Sequence, residues 1–306
     1  MFKKIENRRT KTWLGGLAVL VFIVTVIGYQ VESRREIPLP QVLRIIKDAE
    51  SKEHLEVPLV RYTKAAGHGD SITTDFVGAV HLGERSYYDD LNKRFKSYQA
   101  VLFELVSDGE HLPGQREGRG DSILGTVQRA MCNLVGLTFQ LDAINYQAKN
   151  FVHADLSPQR LQDAMRARGE TLPQLLMKLI KLSTDPELQK TLEAKGFKEA
   201  SLDGVNPLLI ILRGPTDEER LKIRRFMAQG LIGSDTVLKA LEGENGFSLI
   251  SDRNAEVMSV LNRETSSGKR SLAIFYGVGH LPDLHQRLIK QGYRISKIEW
   301  LNAWNL

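Results

Sequence analysis

Short apolar runs and alternating apolar positions dominate the chain from residue 57 to residue 106. Val57–Ala65 and Ser71–Val80 alternate as paired strands do, with a Gly-containing turn between them. Ser86–Ser97 repeats its apolar side chains at helical spacing, and Ala100–Val106 is an apolar run typical of a buried strand. A strand, a helix and a strand in immediate succession predict a βαβ unit.

The middle of the chain has helical periodicity. Ser122–Asn150 is long and apolar with a break near Gly136, and its polar residues favour a buried helix over a membrane span. Residues 157–246 show no strand signal and open with Ser157-Pro158, an N-cap followed by proline. Ser248–Arg263 predicts one more helix. We therefore expect a large helical insertion over about residues 122–263.

The pattern of the first βαβ unit returns near the C-terminus. Ser271–Tyr276 predicts a buried strand, Pro282–Gln291 a helix and Tyr293–Trp300 a final strand. Gly78–His81 and Gly277–His280 stand at corresponding places, so both units run strand, Gly-x-x-His-Leu, helix, strand. The sequence predicts an α/β fold whose central β-sheet is built from two degenerate βαβ Gly-x-x-His repeats around the helical insertion.

The N-terminal part predicts a transmembrane helix that acts as a signal anchor. Trp13–Tyr29 has 17 residues without a charge, about the length that crosses a bilayer. Basic residues concentrate in Met1–Thr12, which predicts a cytoplasmic tail and a periplasmic or extracellular C-terminal domain. A cleaved signal peptide and a buried core helix are the alternatives, but no Ala-x-Ala-like cleavage site follows. We expect residues 30–56 to be a juxtamembrane spacer with a short helix over Gln41–Glu50, and residues 57–306 to be the α/β domain.

The basic character of the chain is confined to the predicted tail. The formal net charge is +5, and Met1–Thr12 hold five Lys or Arg against one Glu, so the remainder is nearly neutral. A nucleic-acid partner requires a basic face on the folded domain, and this distribution excludes it. Cys132 is the only cysteine, which excludes an internal disulfide and any CxxC-type site.

The two Gly-x-x-His turns predict a site at one edge of the sheet. Gly78 and Gly277 permit a tight turn or a close backbone approach. Ligands of α/β sheets bind outside the carboxyl ends of the strands. We therefore expect His81 and His280 at the same edge, with Glu104 near the end of the next strand. Two imidazoles and a carboxylate form a ligand set of catalytic divalent metals, with an open position for water.

The surroundings of these residues leave alternatives open. A His after a strand is often only a hydrogen-bonded turn residue. Glu104, by contrast, lies in an apolar run and needs a cation, a proton or a metal as its partner. Arg253 at a predicted helix start could stabilise an oxyanion or bind a substrate carboxylate, or it could be a solvated charge. Asn254 beside it is a further candidate for substrate binding.

Together these motifs resemble the TraB/PrgY/GumN family, which is related to the Tiki metalloproteases and more distantly to the erythromycin-esterase and ChaN-like fold. The resemblance extends over about Val57–Ile298 and is carried by Gly78-Ala79-Val80-His81, Phe103-Glu104-Leu105, Asp252-Arg253-Asn254 and Tyr276-Gly277-Val278-Gly279-His280-Leu281. The first turn departs from the family's commoner Gly-Thr-x-His.

The resemblance implies an α/β sheet with a helical insertion and a divalent-metal peptidase. It places His81, Glu104 and His280 at the catalytic positions, with Arg253 as the family's arginine. It also suggests that Asp155, an acidic residue just before the N-cap Ser157, reaches the site.

The leading hypothesis is a membrane-anchored, metal-dependent hydrolase that acts on a peptide or protein and uses Mn, Co or Zn. One alternative is a non-catalytic protein that binds a peptide signal or a haem-like cofactor in the same cleft. The other is an esterase in which a His is the general base without metal. A carboxylate buried in a strand favours catalysis, since a pure binding protein does not need Glu104 there.

Overall fold

The computed structural model describes residues 41–67, 69–108, 130–171, 207–242 and 249–306, together with residues 39, 174, 190 and 205. The chain divides into the units Met1–Leu39 and Pro40–Leu306. The predicted tail and the anchor predicted at Trp13–Tyr29 lie outside the described residues. Within the described ranges, no helix is long and apolar enough to cross a membrane.

The described strands form a mixed sheet of seven strands and a small sheet of two. They are β1 Arg44–Lys47, β2 Glu53–Gly67, β3 Asp70–Ala79, β4 Leu82–Gly83, β5 Ala100–Phe103, β6 Thr138–Phe139, β7 Phe151–His153, β8 Ser271–Gly277 and β9 Arg294–Asn305. The large sheet has the order β1-β2-β3-β8-β5-β7, and β9 also pairs with β2. β4 and β6 form the small sheet.

The long strand β2 carries the antiparallel part of the large sheet. It pairs with β1 near its start, with β3 over its second half and with β9 along residues 54–63. Since β9 occupies one edge of β2, β1 and β3 follow one another along the other edge. β3, β8, β5 and β7 are parallel neighbours. Their carboxyl ends therefore meet at one edge of the sheet.

The described helices lie between and after the strands. They are α1 Arg85–Phe95, α2 Gln140–Ala143, α3 Pro158–Ala167, α4 Pro207–Arg213, α5 Asp217–Glu242, α6 Ser251–Ser266 and α7 Leu281–Lys290. Residues 130–135 are also helical, and Val278–His280 form a 3-10 turn. Ser157 caps α3 as expected, because its side chain accepts a hydrogen bond from the N–H of Arg160.

Helices cover both faces of the sheet. On one face the ring of Phe275 in β8 packs against Phe95 of α1, with 4.9 Å between the ring centres. On the other face the hydroxyl of Tyr62 in β2 hydrogen bonds His285 of α7. Ala100–Phe103 of β5 is buried throughout, as expected for a parallel strand covered on both sides.

Both Gly-x-x-His segments have the predicted order of strand, turn, helix and strand. β3 leads through α1 to β5, and β8 leads through α7 to β9. In the sheet, β8 lies between β3 and β5, whereas β3 and β2 lie between β8 and β9. The two segments are therefore interleaved through the central pair β3 and β8, which brings their turns together.

The helix predicted over Gln41–Glu50 is wrong, because this segment contains strand β1. Arg44–Lys47 pairs antiparallel with Glu53–Glu56 at the start of β2. Across the pair, the guanidinium of Arg44 lies 2.7 Å from the carboxylate of Glu56. Pairing with the free edge of β2 outweighs local helical spacing. The range assigned to a spacer thus contributes to the sheet.

The helix predicted over Ser122–Asn150 breaks at Gly136 as expected, but the prediction of helix after this residue is wrong. The helix of residues 130–135 ends at Gly136, whose φ of 64° is left-handed. The chain then forms β6 and the short α2. The insertion also adds a strand, β7, whose Phe151 packs on Phe95 and Phe103. The described part of the insertion after Ser157 is mainly helical, as expected.

A chain shortened to begin at Pro58, near the predicted domain start, should not form a stable sheet, whereas one beginning at Pro40 should fold. The Pro58 form loses the buried Leu55 and Val57 and four of the ten residue pairs between β2 and β9. Burial of each such side chain contributes about 1.5–3 kcal/mol. Thermal unfolding followed by circular dichroism compares the two forms. Equal melting temperatures would contradict the role of β1 and early β2.

Candidate active site

The two Gly-x-x-His turns lie side by side at the carboxyl ends of β3 and β8. In this parallel pair Gly78 stands opposite Tyr276, and Ala79 stands opposite Gly277. A Cβ on Gly78 would lie 2.8 Å from Cγ1 of Val278 in the second turn. Only glycine permits so close an approach, which explains the residue type at position 78.

Glu104 comes directly after β5, the other neighbour of β8. Its Oε2 accepts a hydrogen bond from the N–H of Gly277 at 2.6 Å, and its Oε1 accepts one from Nη2 of Arg253 at 2.6 Å. A Cβ on Gly277 would lie 3.2 Å from Oε2 of Glu104. The glycine thus leaves room for the carboxylate, which has the partners that its burial requires.

Arg253 connects two carboxylates that come from different strands. Besides Glu104, its guanidinium binds Asp155, with Nε 2.9 Å from Oδ1 and Nη2 2.5 Å from Oδ2. Asp155 follows β7, and its side chain is fully buried. In this arrangement Arg253 holds two carboxylates of the chain itself. This differs from the free guanidinium that binding of an oxyanion or a substrate carboxylate would use.

His280 lies at the start of α7 and is 4% exposed. Its Nδ1 lies 2.7 Å from Oδ1 of Asn254. The amide nitrogen of Asn254 donates to Oδ2 of Asp283 at 2.8 Å, so the oxygen is the atom that faces the imidazole. An amide oxygen only accepts, and Nδ1 of His280 therefore carries the proton. In the neutral ring Nε2 is then an acceptor.

This acceptor faces a second acceptor. Nε2 of His280 lies 3.6 Å from Oε1 of Glu104. Two lone pairs at this distance repel unless a cation or a proton lies between them. The ring of Tyr276 packs nearly perpendicular to His280, at 82°, and the Tyr276 hydroxyl donates to the carbonyl of Ala154. Packing therefore holds the imidazole in this position.

The electrostatics of the cluster favour an ionised Glu104 and a neutral His280. Burial opposes ionisation of Glu104, but His280 when it is protonated, the Arg253 guanidinium and the Gly277 N–H outweigh burial and lower the pKa of Glu104. Burial lowers the pKa of His280 and outweighs the attraction of the Glu104 carboxylate. Burial likewise opposes the charge of Arg253, but Asp155 and Glu104 raise its pKa. Two carboxylates against one guanidinium leave a net negative charge.

His81 differs from the more deeply buried Glu104 and His280 in its exposure. It follows β3, its side chain is exposed, and its carbonyl accepts a hydrogen bond from the N–H of Gln140 at 2.9 Å. In the described part of the chain, no three or more His, Cys, Asp or Glu side chains form a group that could hold a metal ion. The expected convergence of His81, Glu104 and His280 into one ligand set is thus not found. Glu104 and His280 do meet.

The structure adds two residues that sequence reasoning missed. Asp283 and Arg287 lie one helical turn apart on α7, and Nε of Arg287 lies 2.6 Å from Oδ2 of Asp283. Asp283 in turn binds Asn254. The i,i+4 spacing of an acid and a base directly after the second Gly-x-x-His turn was the available signal. Comparisons with family models, curated proteins and solved structures gave no match to this chain.

Proposed function

We propose that this chain is a metal-dependent hydrolase whose site lies at the carboxyl ends of β3, β8, β5 and β7. The observation that carries the proposal is the pair of facing acceptors, Nε2 of His280 and Oε1 of Glu104, 3.6 Å apart. Metal ligands lie about 2.0–2.2 Å from Zn²⁺, and two atoms 3.6 Å apart can both be that close to one ion. The net negative charge of the cluster also favours a cation.

The orientation of both ligands supports the same interpretation. A metal-binding His commonly donates its other ring N–H to a carbonyl or carboxylate, and Nδ1 of His280 makes such a bond to Asn254. Arg253 and the N–H of Gly277 hold the Glu104 carboxylate in place. His81, at the end of the neighbouring strand, is the candidate third ligand. A bound Mn²⁺, Co²⁺ or Zn²⁺ would supply hydroxide near neutral pH by lowering the pKa of water.

We further propose a peptide or protein as the substrate and the TraB/PrgY/GumN resemblance as the family relationship. The adjacent Gly-x-x-His turns and the order of Glu104, Arg253 and His280 along the chain support this. The matching order of the two segments supports an internal duplication, and the strands of the two segments alternate in the sheet at β3 and β8.

The proposed location of the site is outside the cytoplasm. The anchor over Trp13–Tyr29 and the basic residues of Met1–Thr12 support a single-pass protein with a periplasmic or extracellular domain. A reporter fused after Leu306 should be active only in an extracytoplasmic compartment. Activity of the reporter in the cytoplasm would contradict this topology.

The tautomer of His280 also favours a second candidate, a hydrolase without metal. Nε2 is free to accept a proton while Nδ1–H is held by Asn254, which is the state that a general base requires. In this case His280 would activate a water directly, and Glu104 would stabilise the imidazolium that forms.

Metal dependence separates these candidates. We expect full-length protein in detergent, freed of metal, to regain peptide hydrolysis on addition of Mn²⁺, Co²⁺ or Zn²⁺ and to lose it again with chelator. Calorimetric titration of the same preparation measures metal binding without requiring the correct substrate. Hydrolysis that survives chelator would overturn the metal mechanism and favour the general base. Ligand binding without turnover under any condition would favour a non-catalytic binding protein.

A further inference from the structure

We propose that Asp283 is a positioning residue that determines which nitrogen of His280 carries the proton, and that it acts through Asn254. The functional consequence rests on the proposed hydrolase, since it concerns the nitrogen that would bind metal or accept a proton there. The positioning itself is a property of the hydrogen-bond network. It can be measured without any substrate.

The direction of each hydrogen bond follows from Asp283. A carboxylate only accepts, so the nitrogen of the Asn254 amide must be the atom 2.8 Å from Oδ2 of Asp283. The same nitrogen lies 3.3 Å from the carbonyl of His280. The amide oxygen then points at Nδ1 of His280 at 2.7 Å. Asp283 thereby selects the Nδ1–H tautomer without touching the imidazole.

Arg287 fixes Asp283 in its turn. Its Nε lies 2.6 Å from Oδ2 of Asp283, and its Nη2 donates to the carbonyl and the hydroxyl of Ser251, each at 3.1 Å. Ser251 begins α6, the helix whose first turn contains Asn254. The Arg287 guanidinium thus ties the start of α6 to α7 at the level of His280. This explains why the carboxylate keeps its orientation although it is partly exposed.

Loss of this carboxylate makes a second arrangement accessible. A half-turn of the Asn254 amide would present its NH₂ to Nδ1 of His280, which would then have to be an acceptor. The ring proton would move to Nε2, which faces Oε1 of Glu104 at 3.6 Å. That proton would occupy the position that the proposed metal or the accepted proton requires. Asp283 therefore favours the state in which Nε2 of His280 carries no proton over the state in which Nε2–H donates a hydrogen bond to Glu104.

The test is ¹⁵N NMR of His-labelled full-length protein at about pH 8, above the ordinary histidine pKa of about 6.5. Wild-type His280 should show the Nδ1–H form, and Asp283→Ala should shift its tautomer ratio toward Nε2–H by at least about tenfold, or about 1.4 kcal/mol. Asp283→Asn keeps the volume and should give a smaller shift in the same direction. If the Ala variant does not fold, Asp283→Asn alone tests whether Asp283 sets the tautomer of His280.

Two controls are available within the chain. His153 lies with Nε2 2.6 Å from the carbonyl of Leu105, so its Nε2–H form should remain unchanged in every variant. Asp90→Ala removes another i,i+4 Asp–Arg pair of the same 2.6 Å length, with Arg94 on α1, and should leave His280 unchanged.

An unchanged His280 tautomer in folded Asp283→Ala and Asp283→Asn would overturn the positioning role. Metal affinity is a linked readout, since removal of such supporting residues typically weakens it by 10–100-fold. The two proposals fail separately. A chain that binds no metal and hydrolyses nothing, but shows the tautomer shift, would overturn only the hydrolase. Metal-dependent hydrolysis with an unshifted tautomer would overturn only the role of Asp283.

Discussion

Replacement of Glu104 by Gln should lower peptide hydrolysis by at least about 10²-fold, the contribution typical of a positioned acid or base. The change nearly keeps the volume but removes the negative charge that faces Nε2 of His280. An amide also has only one acceptor oxygen, whereas both oxygens of Glu104 accept hydrogen bonds, from Arg253 and from Gly277. The amide nitrogen must therefore face a donor in either orientation, the N–H of Gly277 at the Oε2 position or Nη2 of Arg253 at the Oε1 position, which also faces His280.

Hydrolysis by full-length protein, measured with saturating metal, checks this result. Glu84→Gln is the matched control, because Glu84 forms a comparably buried pair with Arg224 at 2.8 Å, and the partners of its side chain, Arg224 and Asn305, do not belong to the Glu104–His280 cluster. It should leave turnover nearly unchanged. Hydrolysis by Glu104→Gln within a few fold of wild type would remove Glu104 from the mechanism. In a non-catalytic binding protein the same substitution would change affinity alone.

Replacement of Arg253 by Leu should destabilise the fold by about 3–5 kcal/mol, the cost of leaving a buried charge without its partner. The Arg253 side chain is 11% exposed, and its loss leaves the carboxylates of Glu104 and Asp155 without their cation. Thermal or urea unfolding of the full chain measures the effect. Arg160→Leu is the control, since its pair with Glu256 lies at the surface and should contribute about 0–1 kcal/mol.

The destabilisation by Arg253→Leu should depend on pH. The pKa of Glu104 is lowered in the folded protein, so its ion pair stabilises the fold above the ordinary carboxyl pKa of about 4.3 and loses this effect as the pH falls. Protonation in acid also removes the unpaired charge that the variant leaves behind. The difference from wild type should therefore be largest near pH 7 and shrink below about pH 4. Adding Asp155→Asn should recover part of the lost stability. A destabilisation independent of pH would indicate lost packing instead.

Much of the fold could be predicted from local patterns. The strand after Ser271, the helix after Arg85 and the buried strand at Ala100 have strong periodicities that agree with their final structure. The helices predicted over Gln41–Glu50 and over the part of Ser122–Asn150 after Gly136 were wrong because both segments contain strands. β1 pairs with the adjacent β2 across a short turn, and β6 pairs with β4, which lies far earlier in the chain. Helical spacing within a segment does not reveal such pairing.

The candidate site likewise combines residues that could be predicted from the sequence with contacts that only the structure showed. Sequence patterns selected Glu104 as a carboxylate in an apolar run, and His81 and His280 as residues after strand ends. Arg253 and Asn254 were selected at a predicted helix start, and Asp155 through the family resemblance alone. Only the tertiary structure showed that Arg253 binds both carboxylates, that His81 is exposed, and that Asp283 faces Asn254.

The sequence by itself determined which candidate residues follow the predicted strands and whether most segments are helical or extended. Both properties depend on neighbours within a few positions. The tertiary structure decided the strand order, which interleaves the two Gly-x-x-His segments and places Gly78 against Val278. It also decided the protonation states, because the pKa values of Glu104 and His280 depend on burial and on charges that come from four separate parts of the chain.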